Sequence, residues 1–185
     1  MTVEIDDLFK MDTLDQQLLA LLRTDARASV ATLAAKLKAP IAHTSRAKDF
    51  VEYDNPYNMG MTGMIGSTSG FHMMMECDTL LLLGADFAWS QFYPDRATIL
   101  QVDHDGTHLG RRHPVDLGVV GDVIPTLEAL LPLVAERTDR SFLDACLKRR
   151  EDALKTLAHE EHPGKGELIH PQYLLKLLNQ HAADD

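Results

Sequence analysis

The chain has 185 residues, 45% of them hydrophobic and 25% charged, enough for one ordinary domain with an appendage or two small domains around a sizeable core. Its 28 acidic and 18 basic residues leave a formal charge of −10, which repels nucleic acid and anionic membranes and argues against both as partners. Cys77 and Cys146 form no C-x-x-C pair, and the longest apolar run is Leu80 to Leu83; no disulfide scaffold, cysteine-rich zinc site or membrane span is expected, and the chain suits the reducing cytoplasm.

Residues 1–10 (MTVEIDDLFK) are acidic and aperiodic, with no basic n-region or long apolar h-region of a signal peptide. From Asp12 the pattern turns helical: Leu14, Leu18, Leu21 and Leu22 recur on one 3.6-period face, with Thr13 and Gln16 spaced as a capping box. After a break at 24–28, Ser29 is an N-cap for a second short apolar face, Val30, Leu33, Ala34 and Leu37. At Pro40 the character changes. Three short apolar segments follow, Thr79–Gly84, Thr98–Asp103 and Leu117–Asp122, with Ile41–Thr44 as a weaker fourth. Near-continuous apolar runs mark strands covered on both faces, as in a parallel sheet. Helical stretches at Ser67–Glu76 and Val123–Ala135 lie between or after them, the second with Asp122 as N-cap and Pro125 in its first turn. This order predicts an α/β domain over 39–135, a parallel Rossmann-like sheet flanked by helices, preceded by a two-helix segment over 1–38. Over 136–185 the pattern is helical again. Phe142, Leu143, Leu147, Leu154 and Leu157 lie on one helix, 159–165 is a linker, and a last helix begins near Pro171 with Tyr173, Leu174, Leu177 and Leu178 apolar.

Three features bear on chemistry. Gly60, Gly63 and Gly66 stand at three-residue intervals, with Gly70 after them, at the start of a helix. Glycines there let a backbone approach a phosphate near free N–H groups; tight packing explains the same pattern, and both readings stay open. Six of eight methionines fall between Met59 and Met75, which suits adaptable core filling. The strand ends carry Asp86, Asp103 and Asp122, at the end of an open parallel sheet where ligands bind. Asp122 is read as a helix cap, whereas Asp103 can cap or can accept from a ribose hydroxyl. Finally, 103–113 holds two Asp and three His, a composition that tempts a metal assignment. Only His104 and His108 stand at i, i+4, and Gly106 interrupts them, so a solvated loop is expected; Arg111 and Arg112 can face a phosphate or solvent, and solvent is the preferred reading.

The runs LKAPIAHTSRAKDFVEYDNPYNMGMTGMIG, CDTLLLLGADFAWSQFYP, ILQVD and HPVDLGVVGDV resemble pyruvate oxidase and pyruvate:quinone dehydrogenase, members of the thiamine-diphosphate (ThDP) enzymes. The resemblance runs from about Leu37 to Asp185, and D-N-P-Y-x-x-G-M-T-G-x-I-G is its most specific motif. It implies the central, FAD-binding α/β domain of such an enzyme and a helical linker toward a third domain. The implied flavin contacts are Thr62, Gly63, Met64 and Ile65, then Ala85, Asp86, Phe87, Ala88 and Trp89, then Asp103. No catalytic residue and no metal ligand is implied for this chain. In the family, ThDP and Mg2+ are held by flanking domains, which carry an activating Glu and a G-D-G motif, and members are tetramers. No G-D-G occurs here, and Gly106 replaces a usual Pro. The resemblance therefore implies a flavin cradle without decarboxylating machinery, with FAD as partner and a homo-oligomer as its assembly.

The segment MDTLDQQLLALLRTDARASVATLAAKL, about 11–38, resembles instead the first two helices of the helix-turn-helix of the leucine-responsive (Lrp/AsnC) regulators. The helix that reads DNA in those proteins has no counterpart, and residues 1–38 hold six acids against five bases, so DNA binding is not expected. The expectation is a truncated, fused remnant of a pyruvate oxidoreductase. The alternatives are a fragment of a regulator and a non-functional fusion product.

Overall fold

The computed structural model describes residues 29–52, 54–87, 89–164 and 168–182. Of the segment set apart at the amino end, the first helix lies outside the described residues. The second appears as α1, helical over 29–37, with Leu33 and Ala34 buried.

Five strands follow. β1 (Ile41–His43) and β2 (Asn58–Met61) form one parallel pair; β3 (Thr79–Leu83), β4 (Thr98–Asp103) and β5 (Leu117–Val120) form a second parallel sheet in the order β3-β4-β5. Thr79 stands opposite Thr98 and Leu83 opposite Val102; Leu100 stands opposite Leu117 and Asp103 opposite Val120. The expected parallel sheet is thus present in two parts. β2 was not anticipated: its four residues, Asn-Met-Gly-Met, carry no β-branched side chain, and they read as part of the glycine-rich turn. The apolar run of β4 is buried as expected, whereas β5 is an edge strand with Leu117 and Val120 exposed.

The helices are α2 (Lys48–Val51), α3 (Thr68–Glu76), α4 (Val123–Leu130), α5 (Ser141–Glu160) and α6 (Pro171–His181). Ser67 caps α3 through Oγ, which accepts from Gly70 N–H. Asp122 precedes α4 as predicted, yet its carboxylate makes no cap bond. Instead Thr126 Oγ1 donates to the Asp122 carbonyl at 2.7 Å. α5 packs on α3 and β2, which completes a core of Met59, Met73, Met74, Leu80, Leu82, Phe87, Tyr93, Ile99 and Cys146. Three of the clustered methionines therefore fill the core, and Met64 is an exception, exposed at a loop tip. Burial raises the Cys77 thiol to about 11 and pushes Cys146 in the same direction, which makes both poor nucleophiles. The α1 end is fastened to the α4–α5 connection: Lys36 Nζ donates to Leu131 O at 2.7 Å, Arg137 N–H to Lys36 O at 2.9 Å, and Lys38 pairs with Glu136 at 2.8 Å.

Candidate functional site at the strand ends

Two loops meet at one glycine. The loop after β2 is tied to β1 by Thr62 N–H donating to His43 O at 2.9 Å, and it turns through Gly66 N–H to Gly63 O at 2.9 Å. Gly63 is buried with φ +105°, a conformation open to glycine at little cost. A Cβ there would stand 3.2 Å from Phe87 Cε2 and 3.5 Å from Trp89 Cζ3. The first two groups of sequence-predicted contacts, 62–65 and 85–89, are therefore in contact through Gly63, Phe87 and Trp89. The room that a glycine leaves there is taken by the protein's own rings, so of the two readings left open tight packing describes Gly63. Gly66 and Gly70 also serve packing, since a Cβ on either would lie 2.6 or 2.7 Å from Met61 O. Those two glycines let the start of α3 close onto the backbone after β2.

Around that contact the predicted residues divide by environment. Thr62 Oγ1 turns inward and donates to Met74 Sδ at 2.9 Å. Met64 and Ile65 point out, 64% and 76% exposed, and Trp89 is partly exposed beside them. Phe87 is buried, with Trp89 edge-on at 5.9 Å. Tyr93 holds this loop from beneath: its hydroxyl donates to Phe87 O at 3.1 Å, and its ring stacks on His113 at 4.8 Å. Ala88 lies outside the described residues.

The two strand-end carboxylates differ. Asp86 is gripped by two guanidinium groups. Arg112 Nε and Nη2 reach its oxygens at 3.1 and 3.2 Å; Arg111 Nε reaches Oδ1 at 3.3 Å and its Nη2 closes on Oδ2. Hydrogen bonds from Arg111, then Arg112, hold the Asp86 carboxyl down at about 2. Both arginines are exposed, as expected, and the structure adds a partner: a forked donor and a carboxylate that lie 25 residues apart in sequence meet across the strand ends. Asp103, by contrast, is 3% exposed, and its Oδ1 accepts from Asp105 N–H at 3.0 Å and lies 3.1 Å from His108 Nδ1. Every polar contact of this carboxylate falls on Oδ1, so Oδ2 has no partner among the described residues. The His-rich stretch is a loop built on a three-residue 3-10 turn, Gly106–His108. His104 is exposed as expected, but His108 and Asp103 are drawn inward.

One residue that the sequence did not single out joins the two loops. Gln101 on β4 is buried, and its amide donates to His108 O at 3.2 Å and to Ala85 O at 3.4 Å while its carbonyl accepts from Gly110 N–H at 2.9 Å. A glutamine inside an otherwise apolar strand, TILQVD, is the only signal that marked it.

The family described as thiamine pyrophosphate enzyme, central domain, matches residues 20–130, more than half of the chain and including every site residue named above. The match begins inside the span likened to a helix-turn-helix. A protein of Pseudomonas amyloderamosa, described as an uncharacterized 42.6 kDa protein in the isoamylase 3' region, is 57% identical over 68% of this chain and 32% of its own length. The putative thiamine pyrophosphate-containing protein YdaP of Bacillus subtilis is 32% identical over 86% of this chain and 28% of its own. Pyruvate oxidase of Lactiplantibacillus plantarum is 28% identical over 83% of this chain and 26% of its own. The chain thus spans between a quarter and a third of the length of these relatives. With parallel strands, flanking helices and a family match across them, the chain belongs to the thiamine pyrophosphate enzyme central-domain family.

Proposed function

We propose that this chain is the FAD-holding central part of a thiamine-diphosphate-dependent enzyme that acts on pyruvate. Two observations carry the reading: the 62–65 and 85–89 loops meet at Gly63, and Asp103, buried at the end of β4, has one oxygen unused. The residues present fit a flavin dinucleotide. In this reading Asp103 Oδ2 accepts from a ribose hydroxyl, a charge-assisted bond at a strand end. Met64, Ile65 and Trp89 offer an exposed apolar surface against which a flat ring system can lie. Asp86 contributes through its backbone, because Arg111 and Arg112 occupy its carboxylate. A flavin bound there would carry the electrons, while the protein supplies orientation and polarity. Gln101 and Tyr93 tie the loop after β3 to the loop after β4, and neither needs to touch the cofactor.

Binding by this chain is expected to be weak, because the two sheets that carry the loops share no paired strand. No residue here is assigned to ThDP or Mg2+, so pyruvate turnover by this chain alone is not expected. Pyruvate oxidase among the relatives supports pyruvate as the substrate of the whole enzyme, and a homo-oligomer goes with that reading. The test is an absorbance spectrum of the purified chain for flavin, followed by titration with FAD while fluorescence quenching is read. Saturable quenching in the micromolar range supports the reading. A chain folded by circular dichroism that quenches no FAD at high micromolar concentration overturns it.

A further inference from the structure

Away from the strand ends, the junction of α5 and α6 gathers three metal-binding side chains. Glu160 is the last residue of α5, and His170 is the N-cap of α6. His162 lies between them. Gly164 has φ +95°, and a Cβ there would sit 2.8 Å from Leu168 O, so these two residues approach backbone to backbone. This places one ligand atom each of Glu160, His162 and His170 within 4.8 Å of one another. His170 Nε2 lies 3.7 Å from Glu160 Oε2, too far for a hydrogen bond. The two imidazole rings stand 5.1 Å apart.

A second observation falls on the same residues. His170 Nδ1 is itself shut off from solvent and has no hydrogen-bond partner among the described residues. Buried polar atoms are nearly always satisfied, and an orphan calls for an explanation such as a missing ion. The neighbouring acid, Glu161, is already paired with Lys176 at 3.2 Å, so Glu160 is the carboxylate left for a cation.

We propose that Glu160, His162 and His170 bind one divalent cation of the zinc class and thereby clip α6 to the end of α5. Two imidazoles and a carboxylate suit a borderline-soft ion, with water as fourth ligand. Zinc bonds of about 2.0–2.2 Å in a tetrahedron put ligand atoms roughly 3.3 Å apart. With His170 Nδ1, the unpartnered atom, as that ring's ligand, the three donor atoms must draw closer than they now stand, and the exposed Glu160 and His162 side chains are free to do so. Binding has a local cost: His162 Nδ1 accepts from Gly164 N–H at 3.0 Å, and coordination by this ring gives that bond up. The inference stands apart from the flavin reading and shares no residue with it.

The experiment is a zinc titration of the chelator-treated full chain against a chromophoric competitor, with Co2+ substituted in parallel for its visible spectrum. One zinc per chain is expected, with a tetrahedral Co2+ spectrum and a thermal midpoint raised by zinc. His162→Gln, His170→Gln and Glu160→Gln should each weaken binding by at least roughly tenfold, the size seen when even supporting groups of a metal site are removed. His108→Gln, in the other histidine-rich loop, should bind as the parent does. If His170→Gln proves unfolded by circular dichroism, the exposed positions Glu160 and His162 carry the comparison. No stoichiometric zinc in the folded parent, undiminished binding in the Glu160 and His162 variants, or loss only in His108→Gln overturns the proposal.

Discussion

The loops after β3 and β4 each carry an aspartate at the strand end, yet the tertiary structure gives the two acids opposite employment. Asp86 is partly exposed and neutralised by two forked arginines; Asp103 is buried, anchors its own loop through Oδ1 and leaves Oδ2 unused. An exposed pair costs little to make and little to lose, whereas a buried carboxylate persists only where bonds offset its desolvation. A strand-end position is therefore not enough to assign a ligand-binding acid. The partners already held by each oxygen decide it.

The most drastic way to break this comparison is Gly63→Val, which disturbs the loop after β2 and, through Phe87 and Trp89, the loop after β3. Its φ of +105° forbids a branched residue and its Cβ meets Phe87, so about 3 kcal/mol of stability should be lost by denaturant unfolding, and FAD quenching with it. Asp103→Ala tests the loop after β4. It should weaken FAD binding by about 1.5–3 kcal/mol, the range for a hydrogen bond to a charged group, while a titration with Asp86→Asn should match the parent closely. Equal losses in both variants would erase the distinction drawn here.

Gln101→Leu probes what holds the loops together. Three polar groups, on Ala85, His108 and Gly110, lose their partner, and a cost of about 1–3 kcal/mol is expected in chemical unfolding. Faster amide exchange should then appear in both loops. The smallest effect belongs to Asp86→Asn, expected at under about 1 kcal/mol near neutral pH because the pair is exposed. Its sign follows from the lowered carboxyl, about 2 in the folded chain against 3.8 ordinarily. The parent's advantage is present above pH 3.8 and shrinks as pH falls toward 2. Unfolding curves of both proteins at pH 7 and pH 3 should show a difference that shrinks on acidification; a difference that grew would rule out the arginine clamp.

Much of the fold was legible because its signals are local. Continuous apolar runs marked β3, β4 and β5; Ser67 and Pro171 marked the starts of α3 and α6. β2 was hidden by its glycine and methionines, which say turn and core rather than strand. The glycines read as a phosphate approach are divided by the structure: Gly66 and Gly70 let α3 pack, and Gly63 seats two aromatic rings. Arg111, Arg112 and Gln101 were illegible because their partners lie far along the chain or on backbone atoms, which leave no pattern at fixed spacing.

By itself the sequence determined the order of the strands other than β2 and of the longer helices, the aromatic and aspartate positions at the strand ends, and the likeness to one enzyme family. These follow from periodicity and residue type, properties each segment carries wherever it sits. The tertiary structure alone decided that the sheet is parted into two, that Gly63 is filled by Phe87 and Trp89, and that Asp86 is occupied while Asp103 keeps an oxygen free. It also brought Glu160, His162 and His170 together. The reason is physical: burial and hydrogen-bond satisfaction depend on which distant groups close over a residue, and that is settled only when the chain packs.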